Sequence, residues 1–202
     1  MKTTRWGLIG AGWIATKAIA PAMHAQPNAI LQGVASSDPK RAQLLNPITI
    51  HNSYEALIND PLVDAVYISL PNHLHCEWSI KALNAGKHVL CEKPFAMNVS
   101  EVESMARAAR DNNRLLVEAV SAMWHPRMKR LVDYVKAGNI GEVVSIDSSF
   151  TFPASLEGNY RLSPAMGGGA LFDVGIYPLH AITALIGDDA STVIKSCDVK
   201  IG

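Results

Sequence analysis

Between residues 5 and 119 the chain alternates short, nearly continuous apolar runs with segments of helical period, and this alternation restricts the fold more than any other feature. The runs Arg5–Ile9, Ile30–Ser36, Ile48–His51, Ala65–Leu70, His88–Cys91 and Leu115–Glu118 lack the polar alternation of a half-exposed strand. They read as parallel strands covered on both faces. The intervening segments carry helix start and stop signals. Asp38-Pro39 pairs an N-cap with proline at the first helical position. Ser100-Glu101-Val102-Glu103 reads as a capping box ahead of Val102, Met105, Ala106 and Ala109. Gly86 follows Trp78–Ala85 as a stop. The expected class is α/β, with a doubly wound parallel sheet.

After Glu118 the texture changes. Met128, Leu131, Val132 and Val135 define an amphipathic helix that Gly138 ends. A strand is expected over Val143–Phe152, then an irregular Pro-, Ser-, Gly- and Asn-rich segment to Gly169. A helix to about Ile186 and a strand over Ser191–Ile201 complete the pattern. The expected organisation is a first domain over 1–120 and the start of a second, open-sheet α/β domain over 121–202. Because that second sheet stops as it begins, the chain reads as truncated.

Apolar residues at 49%, charged residues at 18% and a mean hydropathy of +0.11 suit a globular chain and exclude disorder. Eighteen basic residues cancel eighteen acidic ones, so no electrostatic footprint for nucleic acid or an anionic membrane follows. Cys76, Cys91 and Cys197 form no C-x-x-C pair, which argues against a disulfide scaffold or a cysteine zinc site and for a reducing cytoplasm. No stretch reaches the roughly 18 uninterrupted apolar residues of a membrane span. Met1–Ala25 superficially resembles an export signal, but Lys17 and the glycines Gly7, Gly10 and Gly12 interrupt its apolar region.

Those glycines have a better explanation. Gly10-Ala11-Gly12-Trp13-Ile14-Ala15 is G-x-G-x-x-A placed between a first strand and a first helix. Gly10 permits the tight turn, Gly12 lets backbone approach a pyrophosphate, and Ala15 allows close packing of helix on strand. The N–H groups at Trp13 and Ile14, where the helix begins, face the anion. A dinucleotide is the expected ligand. Its type should be read after the second strand, where an acidic residue would hold the ribose diol of NAD. Here Asp38 is already explained as a cap, whereas Ser36, Ser37, Lys40 and Arg41 suit a 2′-phosphate, so the reading leans to NADP over NAD. The alternative for Lys40 and Arg41 is a solvated helix face. Leu70-Pro71-Asn72-His73-Leu74-His75 and Cys91-Glu92-Lys93-Pro94 follow two further strands, at the end of the sheet where such ligands bind. His73 and His75 lack a third metal ligand, and no metal is expected. Lys93 is held out of the helical region by Pro94, though a surface loop lysine would show the same pattern.

Gly10–Ala15, Pro71…His75, Glu92-Lys93-Pro94 and the run Gly167-Gly168-Gly169-Ala170-Leu171-Phe172-Asp173-Val174-Gly175-Ile176-Tyr177-Pro178 together resemble the Gfo/Idh/MocA oxidoreductases. The resemblance implies an N-terminal Rossmann domain, then a domain whose open sheet lines the substrate pocket and often the oligomer interface. It implies hydride transfer between NAD(P) and a CH–OH group of a sugar, polyol or trans-dihydrodiol. It further implies that Leu70, Pro71, Asn72, His75, Glu92 and Lys93 contact cofactor, and that Lys93, Asp173 and Tyr177 are catalytic. Tyr177 stands where inositol-type members carry histidine, as in the dihydrodiol dehydrogenase, xylose dehydrogenase and glucose–fructose oxidoreductase branch. His180 lies off the pattern and reads as structural. Met123 stands where many relatives have arginine, so substrate contacts there differ.

Oxidising an alcohol needs a hydride acceptor and a base for the hydroxyl proton. A free tyrosine, with a pKa near 10, is ionised in only about one molecule per thousand at neutral pH. A lysine ammonium within a few ångströms lowers that by roughly 1–3 units and brings a phenolate base within reach. Without its glycine-rich flank, Tyr177 would read as a core aromatic. Pro178 complicates a shared helix face for Asp173 and Tyr177. Two rival readings are a cofactor-binding but inactive fragment or regulator, and a short-chain dehydrogenase. The second would need Tyr-x-x-x-Lys, and no tyrosine here has lysine four residues later.

Overall fold

The structure is a computed structural model, and it describes residues 3–153, 159–187 and 196. Six parallel strands, β1 (Thr4–Ile9), β2 (Ala29–Ala35), β3 (Thr49–His51), β4 (Ala65–Ile68), β5 (His88–Glu92) and β6 (Leu116–Ala119), form one sheet. Their order is β3-β2-β1-β4-β5-β6, so the strand order reverses between β1 and β4. That reversal opens a crevice beyond the carboxyl ends of those two strands.

The nearly continuous apolar runs follow from burial on both faces. Leu8, Val34 and Tyr67 pack with Ala15, Ala20 and Met23 on one face of the sheet. Their neighbours Ile9, Ala35, Val66 and Ile68 pack with Leu57, Trp78 and Leu83 on the other. Successive residues of a strand point to opposite faces, so both must be apolar.

The helices are α1 (Ala20–Ala25), entered through a π-helical segment Ala15–Ile19, then α2 (Pro39–Leu44), α3 (Tyr54–Ile58), α4 (His75–Asn84) and α5 (Val99–Asp111). Asp38 caps α2 by accepting from the backbone N–H groups of Lys40 and Arg41. Gly86 follows α4 at φ 77°, a left-handed value natural to glycine. The expected capping box lies two residues too late. Asn98 is the cap of α5: its side chain accepts from Glu101 N while Glu101 Oε2 accepts from Met97 N. The device is a variant of the expected one, with Glu101 reaching the N–H of Met97, one residue before the cap.

The chain separates into two compact units, 1–120 with 153–173, and 121–152 with 174–202. The second contains α6 (Ser121–Trp124), α7 (Pro126–Lys136) and α8 (Ile176–Ile186), with α7 against α8. His125 caps α7 and Gly138, at φ 77°, follows it. The strand expected over Val143–Phe152 does not form: among the described residues no strand lies beside this segment to pair its backbone. The expected strand Ser191–Ile201 and Cys197 lie outside the described residues, Ser196 apart. By length and composition the run Pro164–Ile186 is apolar enough to cross a membrane, but it contains Asp173, which is ion-paired.

Candidate active site

The glycine turn occupies the crevice at the end of β1. Gly10 has φ 91° and donates to Ala35 O at 2.8 Å, and a Cβ there would collide with the carbonyl of Ser69. Gly12 is different. A Cβ on it would sit 3.4 Å from Ser69 Oγ, an ordinary contact, so the fold itself does not require glycine at this position. What a side chain at residue 12 would obstruct is the space in front of the turn, which is where a pyrophosphate fits. Ala15 is fully buried, as close packing of helix on sheet demands, while Trp13 is 74% exposed. Unlike α2, α3 and α5, the helical segment after this turn has no side-chain cap, leaving its N-terminal N–H groups for an anion.

At the end of β2, Ser36 Oγ accepts from Asp38 N, and Asp38 accepts from Lys40 N at 3.0 Å and Arg41 N at 3.2 Å. Arg41 Nε lies 3.4 Å from the other Asp38 oxygen. The carboxylate is thus committed to the cap, and Ser37, Lys40 and Arg41 remain exposed around it.

The turns after β4 and β5 are tied together by side chains that sequence reasoning had assigned to cofactor contact. His75 is completely buried, with Nδ1 2.7 Å from Pro94 O and Nε2 2.8 Å from Leu70 O. Burial lowers its pKa, against the two carbonyls that favour the charged ring. Asn72, also buried, donates to Gly167 O at 2.7 Å. Both residues hold backbone: His75 bridges the turns after β4 and β5, and Asn72 reaches Gly167. Glu92 is likewise turned inward: Tyr67 Oη donates to it at 2.5 Å and Lys93 N at 3.3 Å. Burial pushes the Glu92 carboxyl and the Tyr67 phenol above their ordinary values. Leu70 and Pro71 stay half-buried beside the glycine turn, and His73 is exposed. Among the described residues no group of three His, Cys, Asp or Glu side chains could hold a metal ion.

Lys93 follows β5, and its peptide bond to Pro94 is cis. Its ammonium donates to Asp173 Oδ1 at 3.0 Å and to the Asp173 carbonyl at 2.5 Å. Asp173 lies in a π-helical turn, Leu171–Gly175, and at π spacing its partner is Pro178, which has no N–H. Arg161, which the sequence analysis overlooked, places Nε 2.9 Å from the same Oδ1. Burial opposes charge on Asp173, but the hydrogen bonds from Arg161 and Lys93 outweigh it and hold the carboxyl below the ordinary range. Tyr177 belongs to the second unit, in the first turn of α8, and stacks on Phe150 with ring centroids 4.9 Å apart. His180 lies further along the same helix.

Comparison with known proteins agrees with this geometry. Residues 4–120 match the family model described as an oxidoreductase family with an NAD-binding Rossmann fold, and residues 128–200 match the GFO/IDH/MocA C-terminal domain. A dTDP-3,4-didehydro-2,6-dideoxy-alpha-D-glucose 3-reductase from Actinomadura kijaniata is 37% identical, over 94% of this chain and 58% of its own. The D-xylose 1-dehydrogenase (NADP(+)) 2 of Haloferax volcanii is 36% identical, over 96% of this chain and 61% of its own. The chain therefore spans about three-fifths of the length of these relatives. Among solved structures, a 3-ketoreductase from Actinomadura kijaniata in complex with NADP and TDP-benzene superposes with a TM-score of 0.86 at 37% identity. That superposition covers 92% of this chain and 58% of the other. With both family matches in sequence, and with the glycine turn, the Lys93 turn and Asp173 all in place, the chain belongs to the GFO/IDH/MocA family of oxidoreductases.

Proposed function

We propose that this chain carries the cofactor-binding part and the acid–base residues of an NAD(P)-dependent oxidoreductase acting on a CH–OH or keto carbon of a sugar-like substrate. The observation that carries the reading is the Lys93 ammonium, held by Asp173 beyond the end of β5, in the same unit as a glycine turn whose second glycine is not required by packing. The relatives are named for sugars or a cyclitol: a dTDP-sugar 3-reductase, a xylose dehydrogenase, an anhydrofructose reductase and a scyllo-inositol dehydrogenase. A sugar, polyol or dihydrodiol is the corresponding substrate class here.

Gly10, Gly12, Trp13, Ile14 and Ala15 would hold the pyrophosphate, and Ser36, Ser37, Lys40 and Arg41 the adenosine ribose. NADP is favoured over NAD because Asp38, the one acidic residue there, is occupied by its cap. Two relatives are named as NADP(+) enzymes, and the solved ketoreductase contains NADP. The nicotinamide, when bound, supplies or accepts the hydride. Lys93 then steadies the substrate oxygen and stabilises the negative charge that develops on it. Tyr177 gives a proton to that oxygen in reduction and takes one in oxidation. Support comes from the solved ketoreductase, for which variants of one lysine and one tyrosine have been crystallised. Those two residues stand as far apart in sequence as Lys93 and Tyr177 do. The setting we infer is cytoplasmic, and homo-oligomeric for the full-length protein.

The test is nicotinamide-linked turnover on a panel of sugars, polyols and ketosugars, with NADP and NAD compared by dissociation constant. Tyr177→Phe should leave cofactor binding intact and lower turnover by about 10²–10⁴-fold. A variant that keeps most of its turnover would refute the role of Tyr177 and return attention to His180. Tighter binding of NAD than of NADP would refute the cofactor preference alone.

A further inference from the structure

Arg161 belongs to no motif in the sequence, yet it touches the centre of the site. Its Nε is 2.9 Å from Asp173 Oδ1, the oxygen that Lys93 Nζ also approaches at 3.0 Å. The Lys93 and Asp173 side chains are only 13% and 14% exposed, and that of Arg161 33%. One carboxylate therefore faces two cations in a partly desolvated place, and the group as a whole carries a positive charge.

Arg161 is itself fixed at both ends. Asn159 Oδ1 accepts from Arg161 N at 3.1 Å and from a guanidinium nitrogen at 3.4 Å, and the guanidinium carbon lies 4.9 Å from the Tyr160 ring centroid. The Arg161 carbonyl accepts from Gly169 N at 2.9 Å, and Gly168 lies too close to that carbonyl to carry a Cβ. The triple glycine is thus moulded onto the arginine that holds Asp173.

We propose that Arg161 is a positioning residue for Lys93: it grips the shared oxygen of Asp173, fixes that carboxylate against the ammonium, and leaves Lys93 with positive charge to offer a substrate oxygen. A lysine facing a lone carboxylate would have its charge cancelled by its own partner. A second cation on the same oxygen adds its own potential to that of the ammonium, so the cluster keeps a net positive field toward a substrate oxygen. The inference rests on the reading that Lys93 acts on substrate. Apart from Lys93 and Arg161, titratable groups coupled to the cluster among the described residues include Tyr160, Glu92 and His75. Burial raises the Tyr160 phenol, Arg161 opposes that, and Asp173 and Glu92 add to it.

The measurement is the titration of the Asp173 side-chain carboxyl by carbon-13 NMR in the 202-residue chain, assigned with Asp173→Asn, for wild type, Arg161→Met and Arg161→Lys. Losing a cation 2.9 Å from its carboxylate oxygen should raise the Asp173 midpoint by about one pH unit in Arg161→Met, and Arg161→Lys should recover most of that shift. The backbone contacts to Gly168 and Gly169 survive either substitution, so a purely structural role for the arginine would move neither value. In turnover, Arg161→Met should lower kcat with little change in cofactor affinity, and its acid limb should move to higher pH. An unchanged Asp173 midpoint in Arg161→Met, or equal midpoints in Arg161→Met and Arg161→Lys, overturns the proposal. If the midpoints shift as expected but Lys93→Met keeps full turnover, it is the functional reading of Lys93 that fails, and the positioning role with it.

Discussion

The two units of this chain differ in how they use apolar residues. In the first, Leu8, Ile9, Leu57, Val66, Ile68, Leu83 and Met105 are completely buried between sheet and helices. In the second, no described residue is buried, although α8 is almost wholly apolar in sequence. A parallel sheet covered on both faces closes its own core and can carry a stiff binding turn. Among the described residues of the second unit, three helices and a segment without strand pairing leave their apolar faces at least partly exposed. Stability and cofactor geometry should therefore belong to the first unit. Substitutions in the second should be felt in chemistry or association before they are felt in folding.

The largest expected effect is in the first unit's core. Leu57→Ala removes a side chain with no solvent exposure, and should cost about 2–5 kcal/mol in urea unfolding of the chain. A loss below about 1 kcal/mol would mean that the sheet is not the stable part, and the contrast between the units would collapse.

The next effect separates the two glycines of the turn. Gly10→Ala places a Cβ at φ 91° against the Ser69 carbonyl and should cost about 1–3 kcal/mol. Gly12→Val should leave the unfolding midpoint nearly in place while weakening NADP binding by about tenfold or more. If Gly12→Val unfolds the chain, or leaves NADP affinity as it was, the assignment of residue 12 to ligand rather than to fold is wrong.

Much of this was legible in sequence for a physical reason. Burial on both faces writes a continuous apolar run, so all six strands stand where the runs are. Asp38 was legible as a cap because a proline follows it. Asn98 was not, because Ser100-Glu101-Val102-Glu103 satisfies the same pattern, and the reach of Glu101 back to Met97 decides between them. Lys93 stood out through its neighbours Glu92 and Pro94. Sequence could not say that His75 and Asn72 are buried and hydrogen-bonded to backbone carbonyls of Pro94, Leu70 and Gly167. Arg161 was invisible because its partner is fixed by the tertiary path of a segment with no period. Val143–Phe152 has strand composition, but a strand also needs a neighbour, which composition does not supply.

A smaller effect concerns acid. The Asp173 carboxyl is held below its ordinary value by Arg161 and Lys93, against burial. It therefore adds stability that is complete above the ordinary carboxylate value and is lost as pH falls through the depressed one. Asp173→Asn should flatten that part of the acid side of the stability curve, with an effect of no more than about 1 kcal/mol at neutral pH, as for other part-exposed pairs. Unfolding midpoints measured over falling pH test this. An Asp173→Asn curve parallel to wild type would show that the pair contributes nothing to folding.

The smallest expected effect lies on the second unit, and it tests the contrast from the other side. Val144 is 92% exposed, in a segment expected to be a strand that pairs with no strand among the described residues. Val144→Ser removes an apolar group that touches little, so its cost should stay within about 0.5 kcal/mol. The measurement is thermal unfolding of wild type and variant at two protein concentrations well over tenfold apart. If Val144 lies outside any association surface, the two midpoints coincide at each concentration and move with concentration to the same extent. A midpoint that rises with concentration in wild type but not in Val144→Ser would show this face buried against a second copy in solution. The exposed segment would then act as an association surface between two copies of the chain.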